Sequence, residues 1–159
     1  MALDPILQGA EVLSEGRWEL GYLALARSGG REMLVLKPET YMNDSGRAVA
    51  AVIGAYGLPP GNLILIHDDI DIPLGEVRVK TGGGSAGHRG VSSVVDSVGG
   101  TGFTRVRIGV GRPPEGVDPA VYVLSDFSEE ERPIARDAAV RAAGEAIALA
   151  GDIADARES

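Results

Sequence analysis

Residues 63–69 read Leu63-Ile64-Leu65-Ile66-His67-Asp68-Asp69, an uninterrupted aliphatic run that ends in an imidazole and two carboxylates. Consecutive aliphatic residues without alternation predict a central strand that is buried on both faces of a sheet. In open α/β sheets, ligands bind outside the carboxyl ends of the strands. The polar end of this strand is therefore the first place where we expect chemistry.

The residues before this strand predict two strands and a helix. Strands are expected at residues 19–27 and 33–36, joined by a hairpin at Ser28-Gly29-Gly30. The following helix is expected to end at Gly57. Its predicted buried face has the spacing of an amphipathic helix and consists of Val49, Val52, Ile53 and Tyr56.

After the central strand, predicted strands and helices continue to alternate along the chain. Strands are predicted at residues 76–80 and 104–110, with a short helix at residues 91–98 between them. In the last strand, Val106, Ile108 and Val110 are predicted to point inward. Arg105 and Arg107 are predicted to point outward. A capping box from Ser128 to Glu131 opens a final helix, which we expect Gly151 to end.

This order of elements predicts the α/β class, as a single domain over residues 1–159 with a twisted mixed β-sheet flanked by helices. A chain of 159 residues with 44% hydrophobic content suffices for one core. The absence of cysteine excludes disulfides and thiolate metal sites. Met1 to Glu15 has no apolar run of a signal peptide, and no stretch reaches the ~20 apolar residues of a membrane span. We therefore expect a cytoplasmic protein without a membrane partner.

Charge is unevenly distributed along the chain. The formal net charge of −8 argues against a nonspecific nucleic-acid binder. Residues 78–112 nevertheless carry a net charge of +5, from six basic side chains against Asp96 alone. The six are Arg78, Lys80, Arg89, Arg105, Arg107 and Arg112. This segment fits either a phosphate site or basic side chains that alternate outward on two solvated strands.

Three interpretations fit the segment from His67 to Asp71. Asp68 suits the orientation of a histidine that acts as general base. Alternatively, Asp68, Asp69 and Asp71 would bind a divalent ion, and a metal-dependent hydrolase built on His67, Asp68 and Asp71 is the corresponding rival function. In the third interpretation, the carboxylates cap the turn at residues 72–75. The residues alone do not separate the three.

Two further segments bring polar groups to predicted helix starts. Residues 81–90 contain five glycines and end in His88-Arg89-Gly90. Such a loop presents backbone N–H groups to an anion, although the ending of a P-loop is absent and a flexible linker is the alternative. In residues 41–46, Asn43 suits either a helix N-cap or an amide donor to a substrate carbonyl.

Four sequence blocks, in this order, resemble the signature of the bacterial-type peptidyl-tRNA hydrolase family. They are residues 37–46 (Lys-Pro-Glu-Thr-Tyr-Met-Asn-Asp-Ser-Gly), 67–73 (His-Asp-Asp-Ile-Asp-Ile-Pro), 82–90 (Gly-Gly-Gly-Ser-Ala-Gly-His-Arg-Gly) and 105–113 (Arg-Val-Arg-Ile-Gly-Val-Gly-Arg-Pro). The resemblance implies a monomeric enzyme that cleaves the ester between a peptide and the 3′ ribose of tRNA. It also implies a histidine general base and no metal or other cofactor.

The resemblance assigns roles to individual residues. Asp68 is implied to orient the general base, and Asn43 to contact the ester, so both belong to the catalytic set. The implied tRNA-binding residues are Tyr41, Asn43, Lys80, Arg89 and Arg107. Of these, Tyr41 and Asn43 are expected near the acceptor end, and Lys80 and Arg107 at a backbone phosphate. Arg89 stands where the family often has asparagine.

The N-terminus departs from the family pattern. The resemblance implies a first central strand, a Gly-Asn-Pro-Gly turn and an Arg-His-Asn segment that carries the catalytic histidine. Met1 to Gly16 contains none of these. We therefore expect an N-terminally shortened domain, in which Asp68 lacks its family partner and His67 and His88 are structural. A catalytically inactive RNA-binding member of the same fold is the alternative function.

Overall fold

The computed structural model describes residues 3–18, 20–38, 45–82, 89–100, 102–111 and 130–158. The elements in chain order are α1 (Leu3–Gln8), β1 (Glu11–Trp18), β2 (Gly21–Ser28), β3 (Arg31–Pro38), α2 (Ser45–Tyr56), a 3₁₀ turn (Pro60–Asn62), β4 (Ile64–Asp69), β5 (Val77–Thr81), α3 (Arg89–Val98), β6 (Thr104–Gly109) and α4 (Glu131–Glu158). The α/β class expected from the sequence is confirmed. None of the described helices is both long and apolar enough to cross a membrane.

The described strands form two sheets of three strands each. The first is antiparallel throughout, in the order β1-β2-β3. In the second, β6 lies in the middle, parallel to β4 and antiparallel to β5. The mixed pairing agrees with the sequence-based prediction, whereas the division into two sheets is not indicated by the sequence pattern.

The β2–β3 hairpin turns at the position predicted for it. Gly29 and Gly30 have φ values of +58° and +77°. Positive φ at both central residues matches the twist of the paired strands, and glycine adopts it without steric cost. The register then runs without interruption from Ser28 opposite Arg31 to Gly21 opposite Pro38.

β4 is an edge strand among the described residues, not the central strand that its aliphatic run predicts. It pairs with β6 alone, and all of its residues are half-buried. Its two faces are nevertheless both covered, because Ile64 and Ile66 join one core and Leu65 joins another. Hydropathy reports which faces of a strand are covered. It does not report whether both edges are paired, and the prediction was wrong for that reason.

Two apolar cores lie on opposite faces of the sheets. One packs Ala138 and Ala142 of α4 against Val35 and Val106. The other contains Val49 of α2, Val94 of α3 and Phe103, with Leu36 and Leu65 packed against it. Val35 and Leu36 are neighbours on β3 and therefore point to opposite faces. Since each core includes residues of β3 and β4, the helices join the two sheets.

Two helix predictions need correction. Tyr56, predicted on the buried face of α2, is 51% exposed because it lies in the last turn, directly before Gly57 at a φ of +62°. Gly151 does not end α4, which continues to Glu158. A glycine within a helix costs about 1 kcal/mol relative to alanine. The alanines and other helix-forming residues on both sides of Gly151 outweigh that cost. Ser128, the predicted cap, lies outside the described residues.

The first two elements have no counterpart in the sequence-based prediction. α1 spans six residues and buries Ile6 in the core beneath α4. β1 carries a mixture of charged, polar and apolar residues, and Val12 and Leu13 are both exposed on it. An edge strand with little burial leaves no clear alternation in the sequence, which explains why it was missed.

Val106→Ala is expected to lower the free energy of unfolding by about 2–3 kcal/mol, because it leaves a cavity beneath α4. Val106 is fully buried on the middle strand of its sheet. The control is Val140→Ala on α4, where the side chain is exposed and a change within ~0.5 kcal/mol is expected. Urea denaturation of both variants measures the difference, and equal effects would contradict this assignment of the core.

Candidate functional site

The polar ends of β4 and β6 lie side by side. β6 runs parallel to β4, with His67 opposite Arg107 and Asp69 opposite Gly109. Parallel neighbours bring their carboxyl ends to the same edge of a sheet. The pairing therefore joins two of the blocks noted in the sequence, residues 67–73 and 105–113.

β5 adds basic side chains on the other side of β6. Lys80 lies opposite Arg105, and Arg78 lies opposite Arg107. Residues directly opposite each other share a face of the sheet, and so do residues two apart on one strand. Arg78 is bound to Glu76, with 2.6 Å between Nη2 and Oε2. The remaining three, Lys80, Arg105 and Arg107, are called the basic cluster below.

Asp69 links this cluster to the turn after β4. Its Oδ1 accepts a hydrogen bond of 2.8 Å from the backbone N–H of Asp71. Its Oδ2 lies 3.9 Å from Nη1 of Arg107, which is longer than a hydrogen bond. Asp69 therefore bonds to the backbone two residues further on, at Asp71, and the predicted capping of the turn at residues 72–75 stays a prediction. The same carboxylate is also a counter-charge for the cluster.

His67 is held by the backbone of its neighbour. Its Nδ1 lies 2.9 Å from the carbonyl oxygen of Asp68. A carbonyl oxygen can only accept, so Nδ1 carries the proton in this hydrogen bond. Nε2 is then the unprotonated nitrogen of the neutral ring. Because the bond goes to the main chain of Asp68, it does not use the carboxylate of that residue.

Arg105 is buried, and its predicted outward orientation was wrong. Its side chain is 4% exposed. Nη2 donates a hydrogen bond of 3.4 Å to the carbonyl oxygen of Gly82. Burial lowers the pKa of Arg105, the charge of Arg107 lowers it further, and Asp69 acts in the opposite direction. Alternation along β6 correctly groups Arg105 with Arg107, but it carries no information on the depth of each side chain.

The start of the glycine-rich segment is fixed to the same sheet. Gly82 has a φ of +74°, and its N–H donates to the carbonyl oxygen of Phe103 at 3.2 Å. Its own carbonyl accepts from Arg105. Residues 83–88, with His88 among them, lie outside the described residues. The chain is described again from Arg89, the first residue of α3.

A close approach of α2 and α3 connects the other two blocks. The N–H of Gly46, near the start of α2, donates a hydrogen bond of 2.8 Å to Oγ of Ser93 in α3. A Cβ on Gly46 would lie 2.5 Å from the carbonyl carbon of Ser93. Only glycine permits helices to pack this closely. The contact therefore brings the block that ends at Gly46 next to the helix that follows the glycine-rich segment.

The structure describes some of the expected site residues and not others. Asp68, Lys80 and Arg107 lie on the three strands of the second sheet. Tyr41 and Asn43 lie outside the described residues, and Arg89 is described only as the first residue of α3. Within the described ranges, no group of three or more His, Asp or Glu side chains is arranged to hold a metal ion.

Comparison with known proteins gives concordant matches. The family model described as peptidyl-tRNA hydrolase matches residues 1–158. A Mycobacterium avium protein named peptidyl-tRNA hydrolase is 46% identical over 124 residues, and one from Geobacter sulfurreducens is 49% identical over 120 residues. A crystal structure of peptidyl-tRNA hydrolase from Acinetobacter baumannii is similar, with a TM-score of 0.86 at 27% identity.

The matches cover this chain more fully than they cover the relatives. The Mycobacterium avium alignment includes 78% of this chain and 59% of the relative, and the Geobacter alignment includes 76% and 56%. The Acinetobacter structure is matched over 98% of this chain and 80% of its own. The chain thus spans less than two thirds of the length of these curated relatives.

Proposed function

Because the chain belongs to the peptidyl-tRNA hydrolase family, we propose that it hydrolyses the ester between a peptide, or an N-blocked aminoacyl group, and the 3′ ribose of tRNA. The observation that carries the proposal is the parallel register of β4 and β6. It sets the acidic end of one strand against the basic cluster. A carboxylate that supports a general base and cations that bind a polyanion are the two requirements of this reaction.

In this proposal Asp68 takes the position of the family residue that orients a histidine general base. Met1 to Gly16 lacks the family's histidine, so turnover by this chain requires His67 or His88 as the base. The base takes a proton from water, and the resulting hydroxide adds to the ester carbonyl. The bond to the ribose oxygen then breaks, and that oxygen takes up a proton. A carboxylate beside the imidazole fixes its tautomer and stabilises the imidazolium that forms. Asn43 donates to the ester oxygen, where negative charge develops.

The tRNA is proposed to bind along the same edge of the sheet. Lys80 and Arg107 bind a backbone phosphate. Both belong to the basic cluster, and the ion pair between Arg107 and Asp69 is long, at 3.9 Å. Tyr41 and Asn43 contact the acceptor end, and Arg89 contributes at the start of α3. The proposal includes a cytoplasmic, monomeric enzyme without a metal cofactor.

A second candidate is an RNA-binding protein of this family without turnover. The observation that favours it concerns His67, one of the two histidines in the sequence. In the hydrogen bond of 2.9 Å that its Nδ1 donates, the acceptor is the main-chain carbonyl oxygen of Asp68 and not a carboxylate oxygen. Hydrolysis of an N-acetyl-aminoacyl-tRNA, with chelator present, separates the two candidates. Turnover supports the hydrolase, and tRNA binding without turnover supports the second candidate.

Arg107→Ala is expected to weaken tRNA binding about tenfold at moderate ionic strength, because one phosphate contact is lost. The slope of log affinity against log salt should fall by roughly one. The matched control is Arg27→Ala, which removes an exposed arginine of the other sheet that is paired with Glu32 at 3.0 Å. Filter binding at several salt concentrations measures both variants. Equal losses would indicate a general effect of net charge and contradict a specific contact at Arg107.

A further inference from the structure

Among the described residues, no carboxylate accepts a hydrogen bond from Arg105, and the nearby Asp69 acts on its charge from a distance. Arg105 lies on β6, the middle strand of the second sheet, and its register partners are Leu65 of β4 and Lys80 of β5. The side chain is 4% exposed. Its Nε–H has no hydrogen-bond partner in the part of the chain that the structure describes. Its bond to Gly82, at 3.4 Å, goes to an uncharged carbonyl.

The neighbours of Arg105 add further positive charge. Arg107 lies two residues further along β6, and its Nε–H also has no hydrogen-bond partner among the described residues. Among the described residues, Asp69 is the carboxylate paired with this cluster, and its Oδ2 lies 3.9 Å from Nη1 of Arg107. A buried charge without a hydrogen-bonded counter-ion is unfavourable. A stable core would be served better by an apolar side chain of similar volume at this position.

We propose that Arg105 is a positioning residue of an anion site, in which its buried charge lies beneath a phosphate group held by Lys80 and Arg107. The inference rests on the proposed function in taking the ligand to be a phosphate of the tRNA backbone. Arg105 does not itself reach the ligand, because it is buried. It acts through the potential at the cluster and through its bond to Gly82, which fixes the start of the glycine-rich segment.

The geometry explains why a guanidinium, rather than a smaller cation, occupies this position. Its planar group donates to the carbonyl of Gly82 with one nitrogen and carries further N–H donors on the same delocalised charge. The N–H of Gly82 is bound to Phe103 at the same time, so both polar groups of this glycine are fixed by β6 and the residue before it. The charge and the loop anchor are therefore provided by one side chain.

The test uses inorganic phosphate as the probe and compares Arg105→Met with Arg105→Lys. At constant ionic strength, Arg105→Met is expected to weaken phosphate binding by about tenfold, since a nearby charge is lost. Arg105→Lys keeps the charge and should remain within about threefold of the wild-type affinity. In phosphate-free buffer, Arg105→Met should unfold at the same or a higher temperature than wild type, because the buried charge without a hydrogen-bonded counter-ion is gone.

Two results would overturn the proposal. One is unchanged phosphate affinity in Arg105→Met. The other is a lower unfolding temperature for Arg105→Met without phosphate, restored by Arg105→Lys, which is the result for a purely structural guanidinium. Because the probe contains no RNA, the outcome is independent of tRNA turnover. A chain that binds phosphate through this site but hydrolyses no peptidyl-tRNA would contradict the proposed function and leave this inference intact.

Discussion

Gly46→Ala is expected to lower the free energy of unfolding by about 2–4 kcal/mol, because the new methyl group meets the backbone of α3. The Cβ position of Gly46 lies 2.5 Å from the carbonyl carbon of Ser93 and 2.5 Å from Oγ of Ser97. The side chain of Ser97 can rotate away. The carbonyl group of Ser93 can retreat only if α2 and α3 separate, which opens the core that contains Val49 and Val94.

A second glycine of the same helix provides the control. Gly54 also lies in α2, and nothing stands within 4 Å of its Cβ position. Gly54→Ala is therefore expected to raise the free energy of unfolding by about 0.5–1 kcal/mol, through helix propensity and a less flexible unfolded chain. Urea denaturation followed by circular dichroism measures both. Destabilisation of similar size in the two variants would show that helix context, not the contact with Ser93, determines the effect.

Asp68→Ala is expected to lower kcat/KM for an N-acetyl-aminoacyl-tRNA by about 10²- to 10⁴-fold, the usual contribution of supported general-base catalysis. Affinity for tRNA should change little, because Asp68 is proposed to act on the base and not on the nucleic acid. The loss should therefore appear in kcat, measured by single-turnover hydrolysis in the presence of chelator.

Asp71→Ala is the matched control for this experiment. Asp71 belongs to the same turn, and its backbone N–H, which the substitution keeps, makes the bond to Asp69. Under the proposed mechanism, this variant retains activity. The metal-dependent alternative built on His67, Asp68 and Asp71 predicts that both substitutions and the chelator abolish turnover. Loss of activity in Asp71→Ala together with sensitivity to chelator would therefore reject the assigned role of Asp68.

The sequence predicted local structure well where a pattern depends on neighbouring residues alone. The turn at Gly29 and Gly30 and the alternation of Val106 and Ile108 are such cases. It failed where the result depends on residues distant in the chain. Among the described strands, β4 lies at an edge because it pairs with β6 alone. Arg105 is buried with its guanidinium against the carbonyl of Gly82, a residue 23 positions away in the chain. Neither fact can be read from the residues adjacent to it.

The candidate site was predicted to a similar degree. Order and spacing of the four blocks correctly indicated the family. Of the positive segment, Lys80, Arg105 and Arg107 share a face of the second sheet, and their binding of a phosphate stays a prediction. Asp69 was named only as one of three carboxylates that could bind a metal or cap the turn, and not as the counter-charge of these cations. Asp69 is distinguished only by the register of β4 against β6 and by its bond to Asp71. The Asp-Ile-Asp spacing before Pro73 was the available signal, because an aspartate often bonds to the backbone two residues on.

The division of the described strands into two sheets has a consequence for how the protein unfolds. No backbone hydrogen bond of one described sheet is shared with the other, so either ladder can open while the second stays intact. The first sheet is a meander, so each of its strand pairs closes only a short loop of the chain. Pairing β4 with β6 closes a longer loop, which contains β5 and α3. Cooperativity between the two halves therefore resides in side-chain packing beneath α4 and between α2 and α3, not in the backbone.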